Sequence, residues 1–194
     1  MSAYGIVILA AGASSRLGRP KQLLAWQGKS MLRYISEEAG EAVNGPVVVV
    51  LGENADQLVP ETDVAATQVI NEEWKEGIGS SIRCGLSALL EMSPSADAVI
   101  FMVCDQPFVT TALLKDLVAT HAKTHKPIVA SQYANTLGTP ALFDKAIFPE
   151  LINLQGDTGA KAIIHQYIEL VETIAFPLGH IDIDTAADYE SLLA

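Results

Sequence analysis

The segment Ala10-Ala11-Gly12-Ala13-Ser14-Ser15-Arg16-Leu17-Gly18-Arg19-Pro20-Lys21 combines small residues with three of the chain's twelve Lys and Arg side chains, all three between positions 16 and 21. Small side chains leave backbone N–H groups free to face an anion. A local concentration of positive charge in a chain of net charge −11 marks a focused site for a polyanion such as a triphosphate. Asp105 directly follows the apolar run 99–103, and Asp182-Ile183-Asp184 forms a second acidic element far along the chain. Magnesium takes one or two carboxylates together with phosphate oxygens and water. Asp105 supplies one such ligand, and Asp184 supplies another if the chain folds back. A cation bridging phosphate and aspartate would offset the repulsion between an acidic protein and a polyanion. The competing structural roles are equally simple. Asp105 could cap the helix that starts near Thr110, and the acids between 182 and 188 could decorate a helix start.

These residues need a scaffold. Ile6-Val7-Ile8-Leu9, Val47-Val48-Val49-Val50-Leu51 and Ala98-Val99-Ile100-Phe101-Met102-Val103 are nearly continuous apolar runs, as in parallel strands covered on both faces. Shorter strand segments are 64–70, 128–131, 141–143 and 170–175. Helical periodicity marks 31–43, 80–91, 110–125, 157–167 and 185–193, with Thr110 or Thr111 as an N-cap of the third. The alternation predicts an α/β layered fold, and no linker or repeat divides residues 1–194, so one domain is expected. Ligands in such sheets bind beyond the carboxyl ends of strands, which points at residues 10–21 and 104–107.

Composition removes several classes of function. Twelve basic against 23 acidic side chains argue against nucleic-acid binding and against docking on anionic membranes. Cys84 and Cys104 form no CxxC pair, which fits a reducing cytoplasm. The apolar run at the start is too short for a signal peptide or membrane span. A dinucleotide fingerprint fails at Ser14 and Leu17, and a Walker A loop ending in Gly28-Lys29-Ser30 fails at Leu23. His121 and His125 have a zinc-compatible spacing, but Ala122 stands where a metalloprotease has glutamate; the two histidines read as a solvated helix face. Trp26 and Trp74 read as packing residues, and Arg83 as either a surface residue or a phosphate contact.

Leu9-Ala10-Ala11-Gly12, Ser15-Arg16-Leu17-Gly18 and Pro20-Lys21 together resemble the nucleotide loop of the MobA-like nucleotidyltransferases, most closely the molybdenum cofactor cytidylyltransferase branch. Four later segments resemble the same family in order. They are Asn71-Glu72-Glu73-Trp74 with Gly77-Ile78-Gly79-Ser80-Ser81-Ile82; Cys104-Asp105-Gln106-Pro107; Gly138-Thr139-Pro140 with Gly156-Asp157-Thr158-Gly159-Ala160-Lys161; and Asp182-Ile183-Asp184-Thr185 with Asp188. The resemblance implies a three-layer Rossmann-like nucleotidyltransferase fold with a mostly parallel sheet. It implies nucleotide binding by Leu9, Ala10, Ala11, Gly12, Arg16, Lys21, Asn71, Gly79, Ser80, Ser81 and Asp105. Acceptor binding falls to Gly138, Thr139, Pro140, Gly156, Asp157 and Lys161, and metal binding to Asp105 and Asp184. Ala11 replaces a glycine of the guanylyltransferases, which favours CTP over GTP by analogy. Lys161 stands where arginine is frequent, and loses bidentate phosphate recognition.

The implied reaction moves CMP from CTP to the phosphate of a molybdopterin-type cofactor with Mg²⁺, releasing pyrophosphate, with Arg16, Lys21 and Asp105 as the catalytic residues. A recipient molybdoenzyme or delivery chaperone would take the product. The alternatives are a relative using GTP or a sugar phosphate, and a non-catalytic nucleotide-binding delivery protein.

Overall fold

A computed structural model describes residues 3–14, 17–62 and 65–193. Its seven-stranded sheet has the order β5-β4-β1-β6-β8-β7-β9. The strands are β1 (Tyr4–Leu9), β4 (Val47–Leu51), β5 (Thr67–Ile70), β6 (Ala98–Val103), β7 (Ile128–Tyr133), β8 (Thr136–Asp144) and β9 (Val171–Ala175), while β2 (Ala25–Trp26) and β3 (Lys29–Ser30) form a separate hairpin. The helices are α1 (Met31–Gly40), α2 (Ala55–Leu58), α3 (Ile78–Met92), α4 (Thr111–Thr124), α5 (Phe148–Ile152), α6 (Ala160–Gln166) and α7 (Ala186–Leu193). Position 64, the expected start of the third strand segment, lies outside the described residues.

The apolar runs explain the layers. Along β1, Ile6 and Ile8 join a core with Leu32 and Ile35 of α1 and Leu114 and Leu117 of α4. Val7 and Leu9 point to the other face, into a core with Ile82, Leu86 and Leu89 of α3, Leu151 of α5 and Ile163 of α6. The two-residue alternation thus loads both faces of one strand, which is why its sequence is apolar throughout. Gly85 lets α3 sit close on this sheet, because a Cβ there would come within 2.4 Å of Val7 Cγ1.

The strand β1 pairs in parallel with β4 and β6, so the carboxyl ends of the three apolar strands lie side by side. The strand β8 is antiparallel to both β6 and β7. It returns from β7 through Ala134 and Asn135, both with positive φ (43° and 61°), a backbone suited to a two-residue hairpin. This hairpin extends the expected short strand at 141–143 back to Thr136. Where the β7–β8 register shifts between Ala130 and Ser131, the buried Ser131 hydroxyl donates to the Pro140 carbonyl at 2.6 Å, and the Thr139–Pro140 peptide is cis.

One local expectation changes. His121 is not on a solvated face: its side chain is 9% exposed, with Tyr4 Oη 3.2 Å from Nδ1 and Asp144 Oδ2 3.2 Å from Nε2. The Gly28-Lys29-Ser30 triplet belongs to the β2–β3 hairpin, whose turn residues Gln27 and Gly28 have φ of 50° and 79°. Ser30 then caps α1, accepting from the Arg33 N–H at 3.3 Å.

Candidate functional site

The loop after β1 bounds a cavity of about 450 Å³ beyond the carboxyl ends of β1 and β6. Leu9, Ala10, Ala11, Gly12 and Ala13 form one wall, Cys104 and Asp105 the floor, and Trp74, Gly77, Ile78, Ser81 and Asp157 the opposite side. Gln22, on a short 3₁₀ turn (Lys21–Leu23), is buried; its amide donates to the carbonyls of Ala10 at 2.8 Å and Gly12 at 3.2 Å. Turning these carbonyls toward Gln22 fixes the loop's outward conformation. Nothing in the sequence marked Gln22 for this task. Gln22→Ala is expected to cost about 1–3 kcal/mol, since it strands acceptors in a buried position. Chemical denaturation measures that loss, and titration with nucleotide is expected to show weakened binding through the loosened loop.

Lys21 joins the two distant acids. Its ammonium donates to Asp105 Oδ2 and, at 3.1 Å, to Asp184 Oδ1. Lys21 and Asp105 are each 18% exposed and Asp184 is 32% exposed. Burial pulls the Lys21 pKa down, but Asp105 and then Asp184 more than offset it, so the ammonium is held above its ordinary value of 10.5. Asp182 shifts upward through burial, reinforced by the charges of Asp105 and Asp184. Cys104, wholly buried beside Asp105, is pushed up by burial and then by that carboxylate, which leaves it a protonated thiol.

Local capping brings Asp184 to this place. Thr185 and Asp188 form a reciprocal box at the start of α7: the Asp188 carboxylate accepts from the Thr185 N–H at 2.7 Å, and the Thr185 hydroxyl accepts from the Asp188 N–H at 3.2 Å. Asp188 also accepts from the Asp184 N–H at 3.1 Å, and the Ile183 N–H donates to the Asp105 carbonyl at 3.2 Å. Asp188 therefore serves the helix start while Asp184 faces Lys21. Asp105 caps nothing here, because α4 is capped by Thr110, which accepts from the Leu113 N–H at 3.3 Å.

The basic cluster divides. Lys21 faces the acids, the Arg19 guanidinium lies 5.7 Å above the Tyr189 ring, and Arg16 lies outside the described residues. Asn71 and Ser80 are buried behind the cavity wall. The Asn71 amide donates to Ser80 Oγ at 2.8 Å and Ser81 Oγ at 3.0 Å, so it orients Ser81, which lines the cavity. The N–H groups of Gly79 and Ser80 donate to the carbonyls of Gly156 and Gly77, so the start of α3 is satisfied by the protein itself. Gly77 stands at the N-cap of α3 and Gly159 at that of α6.

Trp74 borders the cavity with the Lys75 ammonium 5.3 Å from its ring centre, whereas Trp26 packs edge-on against Phe108. Gly138, Thr139 and Pro140 lie on the Gln106 side: the Thr139 hydroxyl is 3.4 Å from Gln106 Oε1, and a Cβ at Gly138 would strike the Tyr133 hydroxyl. Gly156 and Asp157 flank the opposite wall, and Lys161 is exposed on α6.

Arg83 does not line this cavity; it borders a neighbouring surface cleft with Glu76, Leu154 and Gly156. It pairs with Glu76 and donates to the Leu154 carbonyl. That pairing, together with the Gly156 N–H, lowers the Glu76 carboxyl pKa to about 2.

The donor set suits a divalent cation bound with a phosphate ligand. Two carboxylates from separate segments already converge on one positive charge, and among the described residues no larger cluster of His, Cys, Asp and Glu gathers. Two carboxylates leave coordination positions for phosphate oxygens and water. Among the described residues no helix is long and apolar enough to cross a membrane.

Known proteins resemble this chain in sequence and in fold. Nicotine blue oxidoreductase of Paenarthrobacter nicotinovorans is 29% identical over 87% of this chain and 84% of its own length. The bifunctional protein GlmU of Mycobacterium marinum is 30% identical over 83% of this chain, which spans only 32% of that longer protein. The crystal structure of Rv0371c from Mycobacterium tuberculosis superposes with a TM-score of 0.84 at 30% identity, covering 99% of this chain and 98% of that one. Rv0371c in complex with manganese superposes at 0.81 with 28% identity, covering the same shares of the two chains. The MobA-like NTP transferase domain model matches residues 6–171, and the chain belongs to that family.

Proposed function

We propose that this chain, acting as one domain in the cytoplasm, transfers CMP from CTP to the phosphate of a molybdopterin-type cofactor and releases pyrophosphate. The observation that carries this reading is the convergence of Asp105 and Asp184 on Lys21 beside the glycine loop. Asp105 and Asp184 would hold a magnesium ion, and the manganese complex of Rv0371c supports divalent metal use in a close structural relative. Such an ion, when bound, polarises the α-phosphate.

The protein's own groups do the rest. Backbone N–H groups of the loop at 11–13 cradle phosphate oxygens, the Ala10 N–H being held by the Val50 carbonyl, and Lys21 with Arg16 neutralises the charge that builds on departing pyrophosphate. A phosphate monoester with a second pKa of about 6 is already a nucleophilic dianion at neutral pH, so no general base is required. Catalysis then rests on in-line positioning and charge. Gly138, Thr139 and Pro140 lie on the Gln106 side, where the acceptor would arrive, and Gly156 and Asp157 adjoin Gly77 on the other, with Lys161 exposed beyond them on α6. A recipient molybdoenzyme or delivery chaperone would collect the product. Ala11 in the loop favours CTP.

Thermal stabilisation with each of the four NTPs plus Mg²⁺ tests the reading. A ligand at 100 times its Kd adds about 2.7 kcal/mol, so CTP is expected to give the largest rise in Tm. A rise confined to GTP would overturn the base assignment. No pyrophosphate release from CTP with the molybdopterin acceptor would overturn the reaction.

A further inference from the structure

The turn at residues 154–158 is fastened to the strip at 74–83 by contacts that lie outside the cavity. The Arg83 guanidinium pairs with both carboxylate oxygens of Glu76, at 2.9 and 2.7 Å, and also donates to the Leu154 carbonyl. Glu76 Oε1 accepts from the Gly156 N–H at 3.1 Å, and the Gly79 N–H donates to the Gly156 carbonyl at 3.0 Å. Gly77 makes the approach possible. Its φ of 125° excludes most side chains, and a Cβ there would lie 2.4 Å from the Gly156 carbonyl and 2.6 Å from Asp157 Oδ1. The Asp157 carboxylate thus rests on the bare face of Gly77 and shares a cavity wall with Ile78 and Ser81.

Lys21, Asp105, Lys75 and Asp157 all line the cavity. Lys21 and the loop at 11–13 lie by Asp105, the carboxylate that would share a cation with phosphate, whereas Asp157, on the Gly77 side, would repel phosphate and accepts only N–H or O–H donors. We infer that Asp157 contacts the nucleoside, not the phosphates or the acceptor, by accepting a hydrogen bond from a base amino group or a ribose hydroxyl, and that Glu76 and Arg83 are positioning residues that aim it. This assignment rests on the nucleotide-binding reading above and adds to it a source of discrimination between nucleosides. A cytosine amino group satisfies the carboxylate, and the uracil carbonyl at the same place meets it with like polarity. A 2′-hydroxyl satisfies it, and a deoxyribose leaves it without a donor.

Calorimetric titration with CTP, UTP, dCTP and pyrophosphate, each with Mg²⁺, tests the inference on the wild-type chain, Asp157→Asn and Arg83→Met. Asp157→Asn keeps the shape of the side chain on an exposed turn, and circular dichroism verifies its fold. The expected result is a CTP affinity at least tenfold weaker in Asp157→Asn, with pyrophosphate affinity unchanged. Collapse of the CTP-to-UTP ratio identifies the base amino group as the donor, and collapse of the CTP-to-dCTP ratio identifies the 2′-hydroxyl. Arg83→Met, which touches no cavity wall, is expected to reproduce the same change in ratio, and Arg83→Lys to restore part of it.

Affinities within twofold of wild type in Asp157→Asn, or an equal loss for all three nucleotides, would overturn the contact. An unchanged ratio in Arg83→Met beside an altered one in Asp157→Asn would overturn the positioning role. A wild-type chain that binds none of the nucleotides would remove the nucleotide-binding reading itself, a result distinct from either.

Discussion

Replacing Asp105 by alanine is expected to lower nucleotidyl transfer by about three orders of magnitude or more while leaving the fold in place. The carboxylate sits at the end of a central strand, in contact with Lys21, and no other acid leaves β6 at that point. Charge stabilisation by one well-placed group is worth about 10²–10³ in rate, and loss of a metal carboxylate removes the ion's contribution as well. The fold loses little. The Asp105 backbone carbonyl still accepts from the Ile183 N–H, so the tie between the two acidic segments persists. Removing this charge also relieves Asp182, whose pKa is raised first by burial and next by Asp105. Pyrophosphate release with a parallel Tm measurement checks both halves. Turnover within tenfold of wild type would contradict the assignment of Asp105.

Lys21→Met is expected to be nearly as severe, with turnover falling about 10²–10³-fold because the departing pyrophosphate would lose a half-buried positive charge. It carries a second, independent signature. The variant leaves Asp105 and Asp184 facing one another without an ammonium, at a cost of about 2 kcal/mol, reduced from the fully buried case by their partial exposure. Because the Lys21 pKa is raised in the folded state, its stabilisation is complete below the unfolded value of 10.5 and fades only as pH climbs through the folded one. The stability gap between wild type and variant is therefore expected to be constant from pH 6 to about 9 and to narrow above about 10.5. Denaturant titrations across this range measure it, and a gap that opens on going alkaline would reverse the sign of the argument.

The apolar strands were legible because β-branched residues filled both faces of β1, β4 and β6 at once, a pattern few other elements produce. The first half of β8 was not, since Gly138 and Pro140 interrupt it and its hairpin turn, Ala134-Asn135, lacks the glycine that usually announces one. The convergence of Asp105 and Asp184 on the glycine loop could be read from strand ends and from the resemblance of both segments to one family. The caps could not. Ser80 and Asp157 have the side chains expected of cap residues, yet tertiary contact assigned the positions to Gly77 and Gly159. Gln22 went unmarked, and the roles of His121 and Arg83 were not legible, for a common reason. Gln22 serves the carbonyls of Ala10 and Gly12, His121 meets Tyr4 and Asp144, and Arg83 reaches the Leu154 carbonyl, none of which local spacing encodes.

The carboxylates that meet at Lys21 are separated by 79 positions, from 105 to 184. At about 5–20 residues per second, a ribosome exposes the second acid roughly 4–16 s after the first. During that interval the nascent chain carries its glycine loop and one acid but lacks the other. A fragment released before position 184 would carry the loop and Asp105 without the second carboxylate that meets Lys21.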